Sequence, residues 1–419
     1  MITPWEVEGV VDYERLMREF GIRPFSEILD KIPNPHPLMR RGVIFGHRDY
    51  ERIVDAMKKG EEWAVMSGFM PSGLPHLGHK MTMDEIVWHQ NMGGKAFMCI
   101  ADMEARFVRG LSVEKTRELG ELYIRSIIAL GLKSDNCLIY YQSANRYVKD
   151  LAIELSSETN FSELRAVYGF NPETSLIKMF IPMIQAGDIL HPQLKDFGGF
   201  KPVVVPVGAD QDPHLRLTRD LANRICIFSF ERIEGGVRVR SRKGENYLEK
   251  LKDLNFDLKA YEGHVDIFGD PEEIEKAVRN LEMELGGYAF IPPSSTYHKF
   301  TTGLRGGKMS SSKPESYISL FDKPEEGAKK VMRALTGGRA TVEEQRRLGG
   351  EPDRCVVFEL YTYHFADDKM LEEIRRDCED GNLLCGQCKK QLAEIVKEFL
   401  KEFQEKAKSV DLSEFEILK

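Results

Sequence analysis

The sequence contains no run of about 18 apolar residues, the length a membrane-spanning helix needs. Met1 to Asp30 lacks the basic start and apolar stretch of a secretory signal and carries acidic residues instead. Neither a span nor a signal is therefore expected, and a cytoplasmic location is. There is no internal repeat and no low-complexity segment. A P-loop is missing, and no GxGxxG fingerprint follows a strand pattern, which disfavours ordinary NTPases and dehydrogenases. An excess of positive charge is also missing: the net charge is −8, which does not advertise nucleic acid, although a local basic face can still bind phosphate. Cysteine is scarce and odd in number, seven in 419 residues. In reducing surroundings that argues against a disulfide framework and leaves metal binding or plain packing.

What is present suits a multidomain globular protein, with 42% hydrophobic and 30% charged residues. Residues 1–60 form an extension built of short helical patterns such as DYERLMREF and HRDYERIVDAM. Residues 61–230 alternate short apolar runs (WAVMS, KAFMCIA, VVVPVG) with long helical patterns, the mark of an α/β, doubly wound parallel sheet. Residues 231–290 read as a small α+β insert of strand, helix, strand, strand, helix, strand, a ferredoxin-like order. Residues 291–320 return to the first sheet, and 321–419 are dominated by helical patterns.

Two stretches carry chemistry. MSGFMPSGLPHLGHK joins an apolar run to a helical pattern, so free N–H groups at a helix start can meet an anion. His76 and His79 there can donate hydrogen bonds to phosphate oxygens, although two histidines three apart more often lie on a surface loop. Far downstream, GLRGGKMSSSKP offers Lys308 as a point charge beside Ser310, Ser311 and Ser312 on a glycine-flanked loop. Taken in order, PHLGH and KMSSS resemble the two signature motifs of class I aminoacyl-tRNA synthetases.

That resemblance implies a Rossmann fold, attack of an amino-acid carboxylate on the α-phosphate of ATP, and transfer to a tRNA terminus. It places ATP and Mg2+ against Pro71, Ser72, Gly73, His76, Gly78, His79, Asp210, Lys308, Met309 and Ser310 to Ser312, with His76, His79 and Lys308 as the catalytic groups. RRGVIFGHRD, VGADQDPHLRLTRD and ALTGGRATVEEQRRLGG look, more narrowly, like tryptophanyl-tRNA synthetases of the archaeal and eukaryotic type. This implies L-tryptophan and tRNA(Trp) as substrates, a homodimer formed through helices of the 61–230 region, and an anticodon-binding role for 321–419. Glu104, Gln185 and Gln211 match the positions such enzymes use for the substrate's α-ammonium group.

Met66 and Cys99 stand where the eukaryotic enzymes place a Tyr and a Gln to hold the indole N–H. MIQAGDIL offers Asp188 instead, on the same helix face as Gln185 and matching a bacterial aspartate. Read alone, Asp188 could equally be a helix cap or a surface carboxylate. The Q-x-x-D pattern also resembles archaeal tyrosyl enzymes; the thioether of Met66 offers packing for an indole and no phenol partner, which favours tryptophan. A tyrosine enzyme and a non-charging, synthetase-like binding protein are the alternatives.

Cys355, Cys378, Cys385 and Cys388 are spaced C-x22-C-x6-C-x2-C. By chemistry alone four thiolates point to zinc. The spacing also resembles the motif with which some tryptophanyl-tRNA synthetases hold a [4Fe-4S] cluster. Cys99, Cys137 and Cys226 sit in apolar settings and read as packing.

Overall fold

The structure, a computed structural model, describes residues 12–307, 309 and 313–419. In chain order the strands of the larger sheet are β1 (Arg23–Pro24), β2 (Ile44–Arg48), β3 (Ala64–Phe69), β4 (Lys95–Ile100), β5 (Cys137–Tyr141) and β6 (Val203–Gly208). Then come four strands of a second sheet: β7 (Phe228–Ile233), β8 (Gly236–Ser241), β9 (Asp257–Tyr261) and β10 (His264–Phe268). The chain returns to the larger sheet as β11 (Ser294–His298) and β12 (Ile417–Leu418).

The larger sheet runs in the order β1-β2-β11-β6-β3-β4-β5-β12. From β11 to β12 every pairing is parallel, and β1 and β2 add on antiparallel. Parallel strands buried on both faces read as continuous apolar runs, as KAFMCI and CLIYY do. Alternation divides them between two cores. Met66, Phe97, Cys99, Leu138 and Tyr140 face one set of helices, and Val65, Ala96, Met98, Ile100 and Ile139 face the other.

The arrangement that creates a cleft is the unequal pairing of β3. It pairs with β4 along its whole length to Phe69, but with β6 only at Ala64 and Val65. Beyond Val204 the β6 strand reaches Pro206, which has no N–H to give; its carbonyl instead accepts a bond from the Ser67 hydroxyl at 3.0 Å. The carboxyl ends of β3 and β6 therefore separate at the point where successive connections leave in opposite directions, the usual place for a ligand in an open parallel sheet.

Two expectations change. The 1–60 stretch is not only helical: RRGVIFGHRD contains β2, whose apolar Ile44 and Phe45 extend the sheet against β11. Met1–Val11 lie outside the described residues. The insert is not ferredoxin-like either. It is two hairpins, ordered β7-β8-β10-β9 and all antiparallel, backed by the helices Asn246–Lys250 and Pro271–Glu284. FSFERI adds a strand at the start of this sheet, with Phe228 packing in the same core as Val237, Val239, Val265 and Ile274. YAFIPP forms no strand; the buried Glu282 carboxylate instead accepts from the Ile227, Phe228 and Ala289 amides at 2.8–3.2 Å and fastens both ends of the insert together. After residue 320 the chain is helical, ending in the 25-residue helix Cys385–Ser409 before β12 closes on β5.

A buried ionic cluster ties β2 and β11 to the helix Asp212–Ile225. Asp212 accepts from Tyr297 Oη at 2.6 Å and from Arg48 Nε at 2.9 Å, and it is fully buried. Asp212→Ala leaves the Arg48 guanidinium unpaired, so the unfolding free energy in urea should fall by about 3–5 kcal/mol. An unchanged urea midpoint would contradict this assignment.

Candidate active site

Between the separated ends of β3 and β6 lies a cleft of about 790 Å³. On one side is the turn from β3 into the helix Leu77–Asn91. His76 caps that helix in an extended conformation, φ −137° and ψ 175°. Its Nδ1 accepts the Gly78 amide at 3.1 Å, while its own N–H donates to His79 Nδ1 at 3.2 Å. Each ring thus uses Nδ1 as an acceptor, which assigns the proton to Nε2 in both. The rings lie 3.8 Å apart, and a β-carbon on Gly78 would sit 3.0 Å from the His76 ring, tighter than an ordinary contact. Burial holds His79 down to about 4, and it holds His76 well below the usual imidazole range, helped by His79 and His364. Both rings are neutral near pH 7. They offer N–H donors without carrying charge.

The segment that follows the second motif meets the first through backbone. The Leu77 amide donates to the Ile318 carbonyl at 3.1 Å, and the Leu320 amide donates to the Pro75 carbonyl at 2.9 Å. Met309 is buried and its N–H bonds to the Thr301 carbonyl at 3.0 Å; its sulfur lies 3.5 Å from where a Gly78 β-carbon would be. Lys308, Ser310, Ser311 and Ser312 lie outside the described residues. Ser72, His76, Gly78, His79 and Met309 all line the cleft; Pro71 and Gly73 belong to the same turn but do not. Asp210 and Gln211 follow β6 in a short 3-10 turn and line the cleft, with Gln211 Nε2 donating to Asp210 Oδ2 at 3.4 Å.

Deeper in, Glu104 and Gln185 face one another, Gln185 Nε2 donating to Glu104 Oε2 at 3.2 Å. Burial raises the Glu104 carboxyl, and Gln185 Oε1 is a buried acceptor with no hydrogen-bond partner. An ammonium group is the natural complement to such a carboxylate and amide oxygen. Met66 lines the same space from β3.

Asp188 is 3% exposed, which excludes a surface carboxylate. Its neighbour Gly187 lets its helix pack closely against the helix Arg146–Ser156, where a β-carbon would sit 2.6 Å from the Val148 carbonyl. Asp188 accepts from Tyr140 Oη at 2.9 Å, from Gln142 Nε2 at 2.5 Å and, weakly, from Cys99 Sγ at 3.6 Å. Burial pushes its carboxyl up to about 7 against the pull of these donors. Cys99 is thus more than packing. Tyr140 and Gln142 were not singled out from the sequence. The available signal was CLIYYQ, an apolar strand ending in a polar residue at the carboxyl edge of a parallel sheet.

The four C-terminal cysteines converge. Cys355 caps the helix Val356–Leu360, Cys378 closes the helix Asp368–Glu379, and Cys385 and Cys388 occupy the first turn of the long helix. Burial, then the charges of Cys355, Cys378 and Cys385, push the Cys388 thiol up to about 12. Gly338 and Gly350 clear space for them, since β-carbons there would lie 2.7 Å from the sulfurs of Cys385 and Cys378. Even so, no three His, Cys, Asp or Glu side chains among the described residues are arranged to hold a single metal ion. That arrangement supports neither zinc nor an iron-sulfur cluster, the two groups the cysteine spacing suggested.

The family profile described as tRNA synthetases class I (W and Y) matches residues 58–233 and 272–401. The unmatched stretch between them contains β8, β9 and β10. The tryptophan–tRNA ligase of Archaeoglobus fulgidus is 73% identical over 418 residues, covering 100% of this chain and 99% of that protein. The tryptophan–tRNA ligase of Methanosarcina acetivorans is 55% identical over 97% of this chain and 95% of its own length. Among solved structures, the tryptophanyl-tRNA synthetase of Aeropyrum pernix K1 superposes with a TM-score of 0.77 at 40% identity, covering 97% of this chain and 96% of that one.

Burial lowers the pKa of eight histidines: His36, His47, His76, His79, His89, His191, His214 and His364. It raises three carboxyls, Glu104, Asp188 and Glu359, which act in the opposite sense. Below pH 6.5 the unfolded chain takes up histidine protons that the folded chain refuses, so stability should fall as the pH drops from 6.5 towards 4. Urea midpoints at several pH values across that range check this; a rising midpoint would contradict it.

Proposed function

The chain belongs to the class I tRNA synthetases, among the tryptophan–tRNA ligases, and we propose that its cleft performs both half-reactions of that activity on L-tryptophan, ATP and tRNA(Trp). A carboxylate oxygen of tryptophan attacks the α-phosphorus of ATP, forming a new P–O bond as the bond to diphosphate breaks. A ribose hydroxyl of the tRNA terminus then attacks the adenylate's carbonyl carbon, and AMP leaves. The observation that carries the reading is the cleft's division of labour. Neutral imidazole donors stand at one end, and an ammonium-type pair, Glu104 and Gln185, lies beside a buried acceptor, Asp188, at the other. No protein nucleophile is needed, because positioning and charge stabilisation suffice.

In this assignment His76 and His79 donate from Nε2 to phosphate oxygens whose charge grows in the transition state, and Asp210 meets the ribose hydroxyls. ATP enters with Mg2+ neutralising its phosphates. Lys308 and the serines after it meet the triphosphate, and Gln211 joins Glu104 and Gln185 around the α-ammonium. The neutrality of the histidines has a consequence here: they strengthen with the developing anion without binding the ground-state tetra-anion as tightly as a fixed cation would. The tyrosine alternative has less support, since the highly similar relatives are tryptophan–tRNA ligases.

We infer that Cys355, Cys378, Cys385 and Cys388 would hold a [4Fe-4S] cluster through their thiolates. The cysteine spacing and the room left by Gly338 and Gly350 favour it. Its role is to fasten the helices starting at Cys355 and Cys385 within the domain that meets the anticodon. Exposed Ile153, Phe161 and Leu176, on consecutive helices of the catalytic region, support a homodimer. No helix among the described residues is long and apolar enough to cross a membrane, and the proposed location is the cytoplasm.

Diphosphate exchange should proceed with tryptophan and be far weaker with tyrosine; no exchange with either would overturn the enzyme reading. Lys308→Ala should lower the exchange kcat by roughly 100-fold while leaving tryptophan affinity almost unchanged. Protein purified without oxygen should be brown and contain four irons per chain. Zinc without iron, or no metal, would reject the cluster.

A further inference from the structure

Asp188 has three donors before any substrate arrives. A carboxylate offers about four lone-pair positions, two on each oxygen. On Oδ1 both are taken, by Tyr140 Oη at 2.9 Å and Cys99 Sγ at 3.6 Å. On Oδ2 one is taken, by Gln142 Nε2 at 2.5 Å. One position on Oδ2 remains, in a cleft that Asp188, Gln142 and Cys99 all line. We propose that Gln142 and Tyr140 are positioning residues for tryptophan selection: they fix the Asp188 carboxylate so that its single remaining lone pair accepts the indole N–H. This rests on the tryptophan reading above and names the residues that make it selective.

The arrangement is rigid at each support. Gln142 follows β5 and is 1% exposed, and its Nε2 donates to the Asp188 carboxylate. Tyr140 lies within β5, fully buried, its ring edge-on to His191 at 5.0 Å. His191 in turn bonds through Nδ1 to the Asp188 carbonyl at 2.8 Å, holding the end of the helix that carries the carboxylate. The donors also decide the charge. Without Gln142 and Tyr140, a carboxyl that burial already raises would hold its proton still more tightly, leaving the indole N–H a weaker, neutral acceptor. Glu104, from the helix Asp102–Arg109, adds a like charge that pushes the same way.

The test compares tryptophan with its sulfur isostere, benzothienylalanine, which has the same shape and no N–H. Equilibrium binding by calorimetry and exchange kinetics are measured for the intact chain and for Gln142→Leu, Tyr140→Phe and Gln142→Glu, with thermal melts to confirm folding. A hydrogen bond to a charged acceptor is worth roughly 10- to 150-fold. The natural chain should prefer tryptophan over the isostere by that factor, in binding and in kcat/KM. The preference should fall at least fivefold in Gln142→Leu and in Gln142→Glu, and by a smaller factor in Tyr140→Phe, with KM for ATP unchanged. Folded Gln142 variants that keep the full preference would overturn the proposal, as would a natural chain that binds the two ligands equally. Because binding is read apart from turnover, an absent exchange reaction would count against the proposed activity while the binding preference still judged Gln142 and Tyr140.

Discussion

The site depends on one pairing that stops early. β3 and β6 share backbone bonds only at Ala64 and Val65, and Pro206 ends the possibility of continuing. Had the strands zipped to their ends, as β3 and β4 do, the cleft would be closed by sheet. The opening leaves the β3 turn free to carry His76 and His79 on one wall, and the β6 turn free to carry Asp210 and Gln211 on the other. The third wall is the helix Leu176–Leu190, which Gly187 allows to lie against Val148 so that Gln185 and Asp188 reach inward.

Electrostatics in this cleft are governed by burial more than by ion pairs. An isolated buried carboxylate costs several kcal/mol, and each hydrogen bond to it returns about 1.5–3 kcal/mol. Asp188 has two strong donors and one weak one, which offset only part of its desolvation and leave its carboxyl raised to about 7. Glu104 has one donor at 3.2 Å, leaving it short of partners until a cation arrives. The two acids are therefore unequal in a useful way, one complete but for a single N–H and the other wanting a positive charge. The histidines complete the pattern: they are neutral by burial and oriented by their own backbone, so their N–H donors need no rearrangement when phosphate charge develops.

Much of this was legible in the sequence for a physical reason. Apolar runs such as KAFMCI and VVVPVG have to be buried on both faces, so the parallel sheet followed directly. PHLGH and Q-x-x-D specify local geometry, a helix cap and one helix face, which short spacing fixes. The insert was misread because hairpin pairing depends on which strand lies beside which, and FSFERI has charges that hide its role. Tyr140 and Gln142 escaped because their meaning arises from a neighbour 46 to 48 residues away. The cysteine spacing suggested a shared metal, but among the described residues no three such side chains are arranged to hold a metal ion.

The most direct test of the central claim is rapid mixing of the protein with ATP and tryptophan in the absence of tRNA. The account predicts a burst of about one tryptophanyl-adenylate per cleft, with an equal amount of diphosphate and slow turnover afterwards. Release of ADP and phosphate, or no diphosphate until tRNA is added, would contradict it.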